Sequence, residues 1–147
     1  EHHATFARRG FPVVGWATMN IPFFCIFLSF VLAYLPKVVM AKGQAARPEG
    51  YDNAHPRDQQ AKLEGVSRRA VAAHSNAFEG FAPFAAAVLC AHLAQVPPAT
   101  LANLAVASVV LRVAYVGLYL ADLSTLRSLV WTAGAGVTGT LFVLASF

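Results

Sequence analysis

Charge is scarce in this sequence. Of its 147 residues only 12% are Asp, Glu, Lys or Arg, whereas 57% are hydrophobic. Soluble domains carry about twice that charge, which leaves one domain built inside a lipid bilayer. Cysteine is nearly absent as well: Cys25 and Cys90 both fall within apolar runs. They read as buried thiols rather than a disulfide, and without a CxxC pair or a Cys/His cluster no metal site is expected. An uninterrupted basic patch is missing too. The net charge is +4, but most of the 11 Lys and Arg fall between Lys37 and Arg69, interleaved with Glu49, Asp52, Asp58 and Glu64. That mixture argues against a nucleic-acid surface and fits the positive-inside bias of membrane proteins.

The apolar runs set the layout. Residues 1–10, with the pair His2 and His3, stand outside the fold argument. A first span is expected at roughly 13–40, bent by Pro22 and flanked by the interfacial aromatics Trp16 and Tyr34. Its apolar region is too long for a signal peptide. Residues 41–63 form a polar connection punctuated by Gly43, Pro48, Gly50 and Pro56, with His55 an ordinary loop residue. One long helix is expected over 59–95, its membrane part at roughly 66–95, with a kink at Pro83. On it His74 and His92 stand about 27 Å apart, too far to share one haem iron. A third span is expected at 98–121, opened by Pro98. A tight hairpin at 121–125 follows, with Ser124 as N-cap. A fourth span is expected at 125–146, where Gly134, Gly136 and Gly139 permit close helix approach. The fold class is therefore an all-α integral membrane four-helix bundle. The Lys/Arg excess puts loop 41–63 and hairpin 121–125 in the cytoplasm.

The few polar residues inside the spans are the candidates for function. At about 100° per residue, Arg69, Asn76 and Glu79 share one stripe of the second helix, with Ala72 in the gap. Arg112, Tyr115 and Tyr119 share a stripe of the third. Glu79 is the only acid in any span and Arg112 needs a carboxylate, so the two are expected to meet. Arg127 and Ser128 lie in the first turn of the fourth helix, where an anion is favoured. Asn76 and Glu79 could equally serve only to hold helices together.

These residues resemble a known family, the membrane-associated proteins in eicosanoid and glutathione metabolism. One motif is Ala73-His74-Ser75-Asn76-Ala77-Phe78-Glu79, followed by Phe81-Ala82-Pro83-Phe84. The other is Arg112-Val113-Ala114 with Tyr115 and Tyr119, then Arg127-Ser128, and it is similar to the microsomal prostaglandin E synthase branch. The resemblance implies a homotrimer with glutathione between neighbouring subunits, and a bacterial member would sit in the inner membrane. It implies that Arg69, Asn76, Glu79, Arg112, Tyr115 and Tyr119 hold the tripeptide, and that Arg127 and Ser128 stabilise its thiolate. The implied activity is a glutathione-dependent transferase or peroxidase acting on lipophilic small molecules that arrive through the bilayer. One position departs: Ala72 stands where the family has an Arg. That departure keeps open a second reading, a non-catalytic accessory subunit of a larger membrane complex with the same fold. A small transporter or channel subunit built on an Arg112–Glu79 pair is a third.

Overall fold

The structure, a computed structural model, describes residues 20–147. Trp16, His2, His3 and the first part of the 13–40 span lie outside the described residues. Helix α1 (Ile21–Ala45) is opened by Asn20, whose side chain accepts from the Phe23 N–H at 3.4 Å. Pro22 falls in the first turn, where the missing N–H has no helical partner to lose. It therefore starts the helix instead of bending it.

The polar connection is partly helical and is strapped to the end of α1. Gln44 on α1 is buried, as is Gln59 on the short helix α2 (Pro56–Ala61). Gln44 Nε2 donates to Gln59 Oε1 at 3.0 Å, and Gln59 Nε2 donates to the Gly50 carbonyl at 2.6 Å. Two buried amides are thus satisfied by each other and by loop backbone, as burial requires. Asp52 accepts from the backbone N–H groups of His55 and Ala54, which hold its carboxyl below the usual range.

The expected single helix over 59–95 is two helices. α2 ends at Ala61 and α3 (Gly65–Leu93) begins beyond a short break. Gly65 has a φ of +53°, a left-handed conformation that glycine adopts without strain. Leu63 in the break is buried against Gly43 of α1. α3 then runs without interruption through Pro83.

Helices α4 (Pro98–Leu120) and α5 (Ser124–Ala145) complete the described chain. Ser124 is the first helical residue, preceded by Leu123 in the N-cap position, so the expected serine cap is not made. α3 packs against α1, α4 and α5, α4 packs against α1 and α5, and the core joins Cys25, Phe84, Ala87, Val88, Leu101, Ala105 and Leu141. Small residues on α3 (Ala70, Ala73, Ala77, Ala87, Ala91) let its neighbours approach closely. Cys90, expected to be buried, is exposed on this helix. α1, α4 and α5 are each long and apolar enough to cross a membrane; α3, interrupted by Asn76, Glu79 and His92, falls short.

Candidate functional site

The polar residues of α3 and α4 meet where those helices cross. Arg112 is half-buried on α4, and its Nη1 donates to Asn76 Oδ1 on α3 at 3.2 Å. Asn76 Nδ2 in turn donates to Glu79 Oε2 at 3.4 Å. A guanidinium only donates, an ionised carboxylate only accepts, and an amide does both. That chemistry leaves one orientation of the Asn76 amide, with its oxygen towards Arg112. The direct Arg112–Glu79 ion pair expected from the sequence is therefore not formed within the chain: Asn76 stands between them. Glu79 itself is exposed at the surface of the isolated chain.

Gly80 makes this contact possible. A Cβ placed there would collide with Arg112 Nη2 and lie 2.7 Å from its Cζ. The bare backbone of α3 thus forms the bed of the guanidinium.

From Arg112 an aromatic ladder runs along α4 to α5. The Arg112 Cζ lies 5.5 Å from the Tyr115 ring centroid, and Tyr115 meets Tyr119 edge to face at 5.6 Å. The Arg127 Cζ lies 4.3 Å from the Tyr119 ring centroid. The cations at both ends are attracted by the negative ring faces. Arg127 has no carboxylate partner among the described residues.

Beneath the relay is a cavity of about 260 Å³ bounded by α1, α3, α4 and α5. Asn76, Glu79, Arg112 and Tyr115 line it, together with Phe81, Phe84, Leu111, Trp131 and the hydroxyl residues Ser29, Ser108 and Thr138. No sequence pattern marks Trp131 or the three hydroxyl residues. Gly134, which approaches Leu111 on α4, was the one lining residue of α5 noted there.

Two candidates are engaged elsewhere. Arg69 Nε donates to the Leu120 carbonyl at 3.1 Å, and its Nη1 lies 3.4 Å from Asp122 Oδ2. It thereby satisfies a carbonyl at the C-terminus of α4, where a cation is favoured. Ser128 Oγ donates to the Ser124 carbonyl one turn back.

With this geometry in view, the comparisons decide the family. The model of the MAPEG family matches residues 21–147. The chain belongs to the MAPEG family. No curated protein and no solved structure matches it significantly. MAPEG proteins include glutathione transferases and related membrane proteins. Membership agrees with the three helices able to span a bilayer, and the protein is an integral membrane protein.

Proposed function

We propose that this MAPEG protein is a glutathione-dependent membrane transferase or peroxidase acting on lipophilic electrophiles. In this reading it works as a homotrimer of four-helix bundles in a bacterial inner membrane, with loop 41–63 and hairpin 121–125 cytoplasmic. The observation that carries the reading is the Arg112–Asn76–Glu79 relay at the edge of a largely apolar cavity.

The residues present fit the tripeptide. Glutathione has two carboxylates and one ammonium, so its cradle needs several cations and one acid. Arg112 donates one side-chain hydrogen bond among the described residues, and the other N–H groups of its guanidinium remain available. Arg127 stands without an ion-pair partner there, and Glu79 Oε1 is uncommitted. Arg69 is tied to the α4–α5 turn, which leaves one chain a cation short. With α3 as the fourth span of this reading, an exposed Glu79 is costly facing lipid. Both facts favour a neighbouring protomer completing the site.

When bound, glutathione supplies a thiol nucleophile. Arg127, at the far end of the tyrosine ladder from Arg112, would supply positive charge to that thiol and lower its pKa. Arg112, held by Asn76, would orient a carboxylate, and Glu79 would accept from the ammonium. Tyr115 and Tyr119 stand between the two guanidinium groups. Conjugation of a lipophilic aryl halide by wild type and Asn76→Leu tests this. Loss of turnover in the variant at unchanged yield supports the assignment, and equal turnover defeats it.

A second reading has its own support. Ala72 replaces the family's Arg, and Arg69 is spent on the α4–α5 turn. A charge-assisted hydrogen bond is worth about 1.5–3 kcal/mol, so their loss could leave a non-catalytic accessory subunit. Absence of both glutathione binding and turnover in the wild type would favour it.

A further inference from the structure

Hydroxyl side chains inside apolar helices commonly bond back to the carbonyl four residues earlier. Ser75, Ser108, Ser128, Thr132, Thr140 and Ser146 all do so here. Ser29 on α1 and Thr138 on α5 make no side-chain hydrogen bond among the described residues, and both line the cavity. Ser29 is only 7% exposed, yet among the described residues no side-chain oxygen is sealed into the packing without a partner, and Ser29 lines the cavity.

These two groups open onto the same cavity from different helices. Phe30 of α1 meets Phe81 of α3 with ring centroids 6.0 Å apart, and Ser29, next to Phe30 in the chain, lines the cavity together with Phe81. Leu111 of α4 lies 3.9 Å from the Cβ position of Gly134, so one antiparallel turn inward Thr138 comes level with residue 108. Thr138 thus sits about 6 Å deeper than Arg112, and Ser29 lines the same cavity. The packed core of Cys25, Phe84, Ala105 and Leu141 adjoins them.

We infer that Ser29 and Thr138 form the polar seat for the lipophilic second substrate, which is an apolar molecule bearing a hydroxyl or carbonyl oxygen. The walls, Phe81, Phe84, Leu111 and Trp131, take hydrocarbon. The two free hydroxyls take the oxygen. A site built to hydrogen-bond an oxygen rejects the analogue lacking it, because its own polar groups are left unpaired. The label "second substrate" rests on the proposed glutathione chemistry; the binding itself does not.

The test therefore omits glutathione. With Trp16→Phe, Trp131 becomes the sole tryptophan of the 2 in the chain and reports on the cavity. Its saturable quenching is measured with 8-bromooctan-1-ol and with 1-bromooctane, each as mole fraction in detergent. The alcohol should half-saturate at about three- to tenfold lower mole fraction, the scale of one or two hydrogen bonds. Thr138→Val should erase most of that preference, Thr138→Ser should restore it, and adding Ser29→Ala to Thr138→Val should remove it entirely. Thr140→Val, whose hydroxyl is already back-bonded, should leave it intact. Thermal melting of each variant confirms the fold, and Thr138→Val alone decides the matter if Ser29→Ala does not fold. Equal quenching by the two probes in the Trp16→Phe protein, or an undiminished preference in Thr138→Val, would overturn the inference and leave the hydroxyls to water. Glutathione binding, measured separately, stands or falls without reference to this result.

Discussion

The Arg112 guanidinium rests on the backbone of α3 at Gly80, in space that any side chain there would need. Gly80→Ala should therefore separate binding from stability. Alanine favours the helix by about 0.5–1 kcal/mol over glycine, and the displaced group is the mobile end of a long side chain. The variant should melt no lower than wild type but bind glutathione about tenfold more weakly, because Arg112 loses its place beside Asn76. Thermal melting and ligand titration on the same sample check both parts.

Arg127→Ala should cut conjugation about 100-fold or more, the scale of removing one charge-stabilising donor. The direction of its pH dependence is equally specific. A guanidinium lowers a thiol's pKa, so without it the rate profile should move to higher pH, towards about 8.5. Arg127→Lys should restore part of the shift. A profile that does not move would place Arg127 outside the reaction.

Arg69→Gln distinguishes the turn from the cradle. Its contacts with Leu120 and Asp122 are partly exposed, with 28% of the Arg69 side chain accessible. Their loss should cost about 1 kcal/mol after solvent screening. Glutathione affinity should stay within about twofold. An affinity loss of about tenfold with unchanged melting would instead return Arg69 to the site.

The loop offers a pH prediction. Asp52 has a carboxyl pKa lowered from 3.8 by the N–H groups of His55 and Ala54. A depressed folded pKa contributes stability above the unfolded value and loses it as pH falls through the folded one. Amide hydrogen exchange at Ala54 and His55, corrected for intrinsic rates, should show protection at pH 5 that persists to pH 3.8 and is lost only as pH falls further, through the lower folded value. Protection unchanged through that lower value would show that the carboxylate does not hold the turn.

Much of this was legible in the residues. Azimuth along a helix is arithmetic, so Asn76 and Glu79 on α3, and Arg112, Tyr115 and Tyr119 on α4, could be grouped without coordinates. Side-chain reach could not. Counting charges paired Arg112 with Glu79, whereas a short amide between them intercepts the guanidinium. Arg69 shared the Asn76 azimuth but lay two turns away, level with the end of α4, where free carbonyls captured it. Pro22 in an apolar run signals a bend, and only the Asn20 cap turns it into a helix start. The break before α3 had a local signal, Gly65, that was outweighed by the Ala- and Gln-rich run around it. The cavity's hydroxyls were invisible because Ser29, Ser108 and Thr138 belong to three different helices. Nothing in a linear pattern says that they face one space.

Calorimetric titration of glutathione into wild type and Arg112→Leu protein, in the same detergent, is the decisive comparison. Wild type should give saturable heat. Arg112→Leu, with an unchanged melting temperature, should bind about ten- to a hundredfold more weakly, the cost of a lost charge-assisted hydrogen bond. No heat from wild type at millimolar ligand, or equal affinity in the two proteins, would contradict a glutathione cradle built on Arg112 and Asn76.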